Sequence, residues 1–278
     1  MVDATVGAGG HAEAVVKAIG GRGRLIGIDR DEQALRLAAE RLHAFRDSVS
    51  LVHGHFGDFD NHLNRLGIGE IDGALFDLGV SSMQLDNAER GFSFKADGPL
   101  DMRMDAAQEL SAAELINTIS IGDLTELLRA YGQERLAGRI ARAIVRRRPF
   151  ATTGALADTI RQAVPSGAPR NRIDPATRSF QAIRIAVNRE LEILPAGLKQ
   201  AIGRLKPGGR IVVLSYHSLE HRIVRIVFQE HARKGILEIL TDRPIEPSTE
   251  EVERNPRSRS AQLRAAARLK NSSRGTVR

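Results

Sequence analysis

The sequence predicts an α/β fold, a Rossmann-like parallel sheet with an all-helical subdomain inserted into it. Short apolar segments alternate with amphipathic helices from the start of the chain, helices then follow one another without strands from about residue 87, and a strand–helix–strand pattern resumes near residue 205.

Residues 2–6 are apolar and run straight into Gly7-Ala8-Gly9-Gly10, after which residues 11–19 have helical composition and stop at Gly20-Gly21. A second strand, 24–28, ends at Asp29, and a helix over 32–45 follows, with Leu35, Ala38, Ala39 and Leu42 at helical spacing. Residues 50–53 and 73–78 read as two more buried strands, which makes half of a doubly wound parallel sheet. Beyond Asn87, Ser111-Ala112-Ala113-Glu114 is a capping box, Gly122-Asp123 opens a helix that stops at Gly132, and helices are expected over 134–148 and 154–163. The loop 165–175 leads into a long helix, 176–194, which Pro195 should stop. Lys206-Pro207-Gly208-Gly209 turns the chain back into a strand at 210–214, then a helix at 219–231 and a short strand at 236–240. The division that results is a core of 1–86 and 203–270, a helical insert of 87–202, and a polar tail, 271–278, expected to be disordered. No internal repeat interrupts it.

Of the 278 residues 42% are hydrophobic and 27% charged, the balance of a globular chain, and no apolar run approaches the ~20 residues of a membrane span. The start has no signal-peptide pattern, so a cytoplasmic protein is expected. The lack of any Cys excludes disulfides, thiolate metal sites and a cysteine nucleophile. Lys and Arg number 41 against 34 Asp and Glu, a net charge of +7 with an isoelectric point near 10.3, which favours a polyanionic partner.

Gly7-Ala8-Gly9-Gly10-His11-Ala12 fits the loose pattern G-x-G-x-x-A between a strand and a helix, and Asp29 lies at the next strand end, where an acid binds ribose hydroxyls. The loop implies an adenosine cofactor, and both NAD and S-adenosylmethionine suit it. Charge separates them: a dinucleotide brings a pyrophosphate that wants bare amides, whereas a sulfonium and an ammonium want carboxylates. Asp3, Asp29 and Asp77 stand at successive strand ends, a pattern that favours the cation.

The strings Val2-Asp3-Ala4-Thr5-Val6-Gly7-Ala8-Gly9-Gly10-His11 and Asp77-Leu78-Gly79-Val80-Ser81-Ser82-Met83-Gln84-Leu85-Asp86 resemble the two leading signatures of the RsmH (MraW) family, 16S ribosomal RNA (cytosine-N4)-methyltransferases. Arg90-Gly91-Phe92-Ser93-Phe94, Gly98-Pro99-Leu100-Asp101-Met102-Arg103-Met104, Tyr131-Gly132-Gln133-Glu134-Arg135, the segment 178–188, Ser215-Tyr216-His217-Ser218-Leu219-Glu220 and Asn255-Pro256-Arg257-Ser258-Arg259-Ser260 extend the resemblance almost to the end of the chain. It implies a class I methyltransferase sheet and S-adenosyl-L-methionine held by Gly9, Gly10, His11, Asp29, Phe56, Asp77 and Gln84. It further implies N4-methylation of a cytidine in the decoding region of small-subunit rRNA, on the assembled small subunit, and leaves a homodimer open. Family members carry about one more helix ahead of the first strand, with a His-x-Pro-Val-like string, where this sequence starts at Met1-Val2-Asp3, so a shortened cofactor pocket or lid is expected.

Methyl transfer to an exocyclic amine is an in-line displacement that needs alignment and a proton acceptor, and no metal. Asp77, or the backbone carbonyls of residues 78–80, are the candidate acceptors; the Asp/Asn-Pro-Pro-aromatic motif of many amino-methyltransferases is replaced here by Asp77-Leu78-Gly79-Val80. A flipped base asks for a stacking surface, and Phe92 and Phe94, with Ser81 beside them in the motif order, and Tyr216 are the candidates. His217 can contact base or phosphate, or else cap a helix. Arg139, Arg142, Arg146, Arg147 and Arg148, with Arg170, Arg172, Arg178 and Arg184, read as phosphate contacts, which the basic stretch 254–278 would extend. His53-Gly54-His55 lacks the carboxylates of a metal site. Two other readings compete: an NAD-dependent oxidoreductase and a non-catalytic RNA-binding module.

Overall fold

The computed structural model describes residues 1–165 and 174–270, so the expected disordered tail, Arg170 and Arg172 lie outside the described residues. The chain divides into two compact units, Met1–Gly79 with Leu191–Arg278, and Val80–Glu190. The compact helical unit thus runs from Val80 to Glu190, against the 87–202 expected of the insert. Its first extra piece is a short helix that Ser81 caps, and the residues it yields at the far end form a helix that packs on the sheet.

In chain order the elements are β1 (Val2–Asp3), α1 (Gly10–Ile19), β2 (Leu25–Asp29), α2 (Glu32–Arg41), β3 (Val49–His53), α3 (Phe59–Arg65), β4 (Ile71–Asp77), α4 (Ser82–Asp86), α5 (Ala112–Thr118), α6 (Ile121–Gly132), α7 (Ala137–Arg147), α8 (Thr153–Ala163), α9 (Ala176–Asn188), α10 (Glu190–Arg204), β5 (Leu205–Ser215), α11 (Ser218–Arg233), β6 (Leu237–Ile239), α12 (Thr249–Arg254) and β7 (Gln262–Arg268). The seven strands form one sheet in the order β3-β2-β1-β4-β5-β7-β6. The first five are parallel, with Asp3 opposite Gly27 and Leu75, and Asp77 opposite Leu214. β7, which the sequence reading misses, lies antiparallel between β5 and β6. The sheet is therefore mixed, not purely parallel.

The order reverses between β1 and β4, and ligands of such sheets bind outside the carboxyl ends of the strands at that point. On one face Phe59, Leu63, Phe76, Leu194, Leu198, Val224 and Phe228 make the larger core of this unit; on the other Val6, Ala12, Val16, Leu25, Ala38 and Leu42 make a smaller one. The second unit has its own core, in which Leu124, Leu128, Ile140, Ile144, Leu156, Ile160, Phe180 and Ile183 meet at helical spacing. Gly132 is required there: a Cβ would stand 2.7 Å from the Arg178 carbonyl oxygen, so only glycine lets α6 approach α9 this closely.

Several expected boundaries move. The strand expected over 2–6 keeps only Val2–Asp3 in the ladder, although the Ala4 and Val6 amides still bond to Leu75 and Ile28. The helix expected over 32–45 ends at Arg41 and gives way to a 3-10 segment, His43–Ser48. The helix expected over 176–194 is broken at Arg189, which takes a left-handed conformation (φ 51°), and Pro195 sits inside the next helix, not after its end. A proline in the second turn of a helix forfeits one backbone bond, which apolar packing of Leu194, Leu198, Ala201 and Ile202 on the sheet offsets. No helix among the described residues is long and apolar enough to cross a membrane.

Candidate active site

The turn after β1 is built on glycine. Gly9, the N-cap of α1, has φ 82°, and a Cβ on it would lie 3.3 Å from Cα of Ala38, so both backbone and packing exclude a side chain. Gly10 and His11 open the helix behind it. Asp29 ties this loop to the end of β2: Oδ2 accepts the Gly7 amide at 2.8 Å and Oδ1 the Asp31 amide at 2.9 Å. Both carboxylate oxygens so occupied keep lone pairs for an incoming hydroxyl.

Asp3, Asp29 and Asp77 project from the carboxyl ends of three adjacent strands. Asp3 is 1% exposed; one oxygen accepts the Thr5 amide at 3.2 Å and Oδ2 has no partner. Burial, with the neighbouring Asp77 and Asp29 charges, pushes its carboxyl up to about 7 against the Thr5 bond. Burial also raises Asp29 above the ordinary carboxylate range, opposed by its two amide bonds. Asp77 is raised for the same first cause, opposed by its bond from Tyr216 and by nearby His11. Three carboxylates crowded out of water, one with an orphaned oxygen, are complementary to a cation and hostile to a pyrophosphate.

Asp77 is held on several sides. Its amide donates to Thr5 Oγ1 at 2.7 Å, Tyr216 Oη donates to its Oδ1 at 2.8 Å, and His11 Nδ1 lies 3.5 Å from its Oδ2. Tyr216 is itself fixed, its amide donating to Glu220 Oε2 at 2.9 Å, and burial and the Asp77 charge push its phenol well above the usual range. Tyr216 therefore spends its polar end on Asp77, a different task from the expected stacking on a base. The bonds of Asp77 to Tyr216 and to Thr5 are not expected from the sequence, because contacts 139 and 72 positions apart leave no mark on local pattern.

His217 caps a helix. It stands at the N-cap of α11, its Nδ1 accepting the Glu220 amide and Glu220 returning the favour, in a capping box with a histidine in place of the usual hydroxyl. Phe56 packs edge-on to Phe76 at 5.5 Å and is overlaid by α10, where a Cβ on Gly197 would come within 2.7 Å of its ring; only part of it remains for adenine.

The second unit holds the other candidates. Ser81 and Gln84 form a capping box at α4, and Gln84 is buried. Phe92 is 6% exposed in the core of this unit with Arg90 over its ring, which removes it as a stacking surface. Phe94 stacks edge-on with Phe180 at 4.7 Å under Arg161. Arg139, Arg142 and Arg146 are exposed on the face of α7 opposite Ile140, Ala141 and Ile144, and Arg178 is exposed on α9. Arg184 is not free for phosphate, since it grips Glu190 through two bonds of 2.8 and 2.9 Å, and Arg148 donates to the Ile119 carbonyl. Arg147 bonds to Gln162. Back in the sheet unit, Arg264 is buried and bonds to the Thr241 carbonyl, and Arg268 reaches the Ile202 and Gly203 carbonyls, so these two arginines of the basic C-terminal stretch serve the fold.

This sheet, with its glycine loop and strand-end acids, is that of a methyltransferase dependent on S-adenosylmethionine. The chain belongs to the MraW methylase family, whose model matches residues 1–269. Among curated relatives, Ribosomal RNA small subunit methyltransferase H of Pelobacter propionicus is 50% identical over 96% of this chain and 92% of that protein. The enzyme of the same name from Thermobifida fusca is 49% identical, over 97% of this chain and 86% of its own length. A solved rRNA methylase from Streptococcus thermophilus is similar at a TM-score of 0.44 and 12% identity, covering 96% of this chain and 85% of that one, too loose a likeness to bear on function. The oxidoreductase reading is set aside by the family match.

Proposed function

We propose that this chain transfers the methyl group of S-adenosylmethionine to the exocyclic N4 of a cytidine in the decoding region of 16S rRNA, on the assembled small subunit in the cytoplasm. The observation that carries the reading is Asp77, a partly buried carboxylate clamped at the switch point of the sheet beside the glycine loop. The names of the curated relatives supply the ribosomal substrate.

In this reading the sulfonium cofactor lies across the ends of β1 and β4. Gly9, Gly10 and His11 line its amino-acid part, Asp29 takes the ribose hydroxyls, Phe56 takes the adenine, and the orphaned oxygen of Asp3 adds negative charge for the cation. Gln84 is a further cofactor contact and Ser81 a substrate contact. Asp77 accepts a hydrogen bond from the cytosine amine, whose lone pair is otherwise delocalised into the ring, and then its proton after attack. Arg139 and Arg178 contact phosphate, and Phe94 is a further substrate contact.

Isothermal titration with S-adenosylmethionine, S-adenosylhomocysteine and NAD tests the cofactor: the first two bind and NAD does not. Incubation with small subunits lacking the modification, followed by mass spectrometry of the RNA, should place one added methyl on one cytidine N4. Binding of NAD alone, or methyl transfer to another atom, would overturn the reading.

A further inference from the structure

His11, Asp77 and Tyr216 make a line that runs from the interior to solvent. Tyr216 Oη holds one oxygen of Asp77 at 2.8 Å, the other oxygen faces His11 Nδ1 at 3.5 Å, and the His11 side chain is 53% exposed against 27% for Asp77. Cofactor binding alone does not need this. A carboxylate that only attracts a cation works best with both oxygens free, whereas here one is fixed by a phenol and the other is set beside a titratable ring open to water.

We propose that Tyr216 is a positioning residue that turns Asp77 Oδ2 toward the substrate amine, and that His11 receives the amine proton from Asp77 and delivers it to solvent. The proposal rests on the methyl-transfer reading above. The amine nitrogen bonds to the methyl carbon as the carbon–sulfur bond breaks and its electron pair stays on sulfur, which leaves neutral S-adenosylhomocysteine and a cationic methylated nitrogen. That nitrogen loses one proton to Asp77 Oδ2; Asp77 passes it to His11 Nδ1, and the imidazolium loses a proton to water. Atoms and charge balance without a further reactant. The charged and titratable groups that face Asp77 are His11 from α1, Tyr216 and Glu220 beyond β5, and Asp3 from β1. Of these His11 is the most exposed, its ring open to water.

Two variants test it. Tyr216→Phe removes a donor that favours the carboxylate, so the acidic limb of the kcat–pH profile should move up by about one pH unit, with cofactor affinity kept within about threefold. His11→Gln keeps a polar side chain but accepts no proton; kcat should fall about tenfold near pH 7, and added imidazole should restore part of it. A Tyr216→Phe enzyme slowed equally at every pH overturns the positioning role, and a His11→Gln enzyme that is unimpaired, or indifferent to imidazole, overturns the proton path. Carbon-13 titration of the Asp77 carboxyl needs no RNA: it should move up in Tyr216→Phe and in His11→Gln. Unmoved titrations overturn the proposal even in a protein that methylates no small subunit, an outcome that would itself overturn only the functional reading.

Discussion

Asp3 shows how much a single side chain can be set against its own stability. In the unfolded chain it ionises near the ordinary 3.8, but in the fold, buried with one oxygen unpartnered, it does so at about 7. The folded state therefore binds the proton more tightly, and the stability linked to Asp3 is fully present below pH 3.8 and lost as pH rises through 7. Asp3→Asn should stabilise the cofactor-free protein at pH 8 by on the order of 3 kcal/mol, change it little at pH 4, and weaken S-adenosylmethionine binding about tenfold or more. Urea unfolding at the two pH values and calorimetric titration check this; an Asn variant that binds cofactor normally would mean that Asp3 only shapes the turn. The glycine loop and the three strand-end acids are legible in sequence because each sits at a boundary between strand and turn, where residue type is dictated locally. The burial of Phe92 is not, because it depends on what packs from distant parts of the chain, whereas the cap made by His217 is local and stands among the sequence's own alternatives.

At the scale of elements, the end of α9 depends on one amide. Asn188 is buried, and its side chain accepts the Met104 amide at 2.8 Å, donates to the Met102 carbonyl at 2.8 Å and donates to the Arg184 carbonyl at 2.9 Å. Met102, fully buried at φ 60°, adopts a conformation that a non-glycine residue holds only when its surroundings enforce it. Asn188→Ala leaves a buried donor and acceptor unpaired and frees that strained turn, so it should cost about 2–4 kcal/mol in a urea melt; a loss under ~0.5 kcal/mol would show that water or local rearrangement replaces the amide. The break after Asn188 is the place where periodicity misleads, because the apolar spacing runs on through residues 189–194 and only the left-handed Arg189 changes the direction of the chain. β7 escapes the sequence reading for a related reason. Its Gln262-Leu263-Arg264-Ala265-Ala266-Ala267-Arg268 lacks β-branched and aromatic residues, and it becomes a strand because β5 and β6 offer ladders on both sides.

At the scale of the whole molecule, the net charge of +7 is the excess of 41 Lys and Arg over 34 Asp and Glu, and its arginines divide into those that serve the fold and those that do not. Arg184, Arg204, Arg264 and Arg268 are bonded into their own units through carboxylates or carbonyls. Arg139, Arg142 and Arg146 repeat at helical spacing on the outer face of α7, exposed and without an ion pair among the described residues, while the opposite face is filled with Ile140, Ala141 and Ile144. A face that is merely solvated usually intersperses acids with its bases, and α7 has none. Replacing all three with Ala should leave the core of the unit intact and the affinity for S-adenosylmethionine unchanged. Binding to small-subunit RNA should weaken and, at ~0.7 per contact for single strands, the slope of log affinity against log salt should fall by about 2. An unchanged slope with unchanged affinity would return α7 to the status of a solvated surface and send the search for the phosphate anchors to Arg178 and its neighbours on α9.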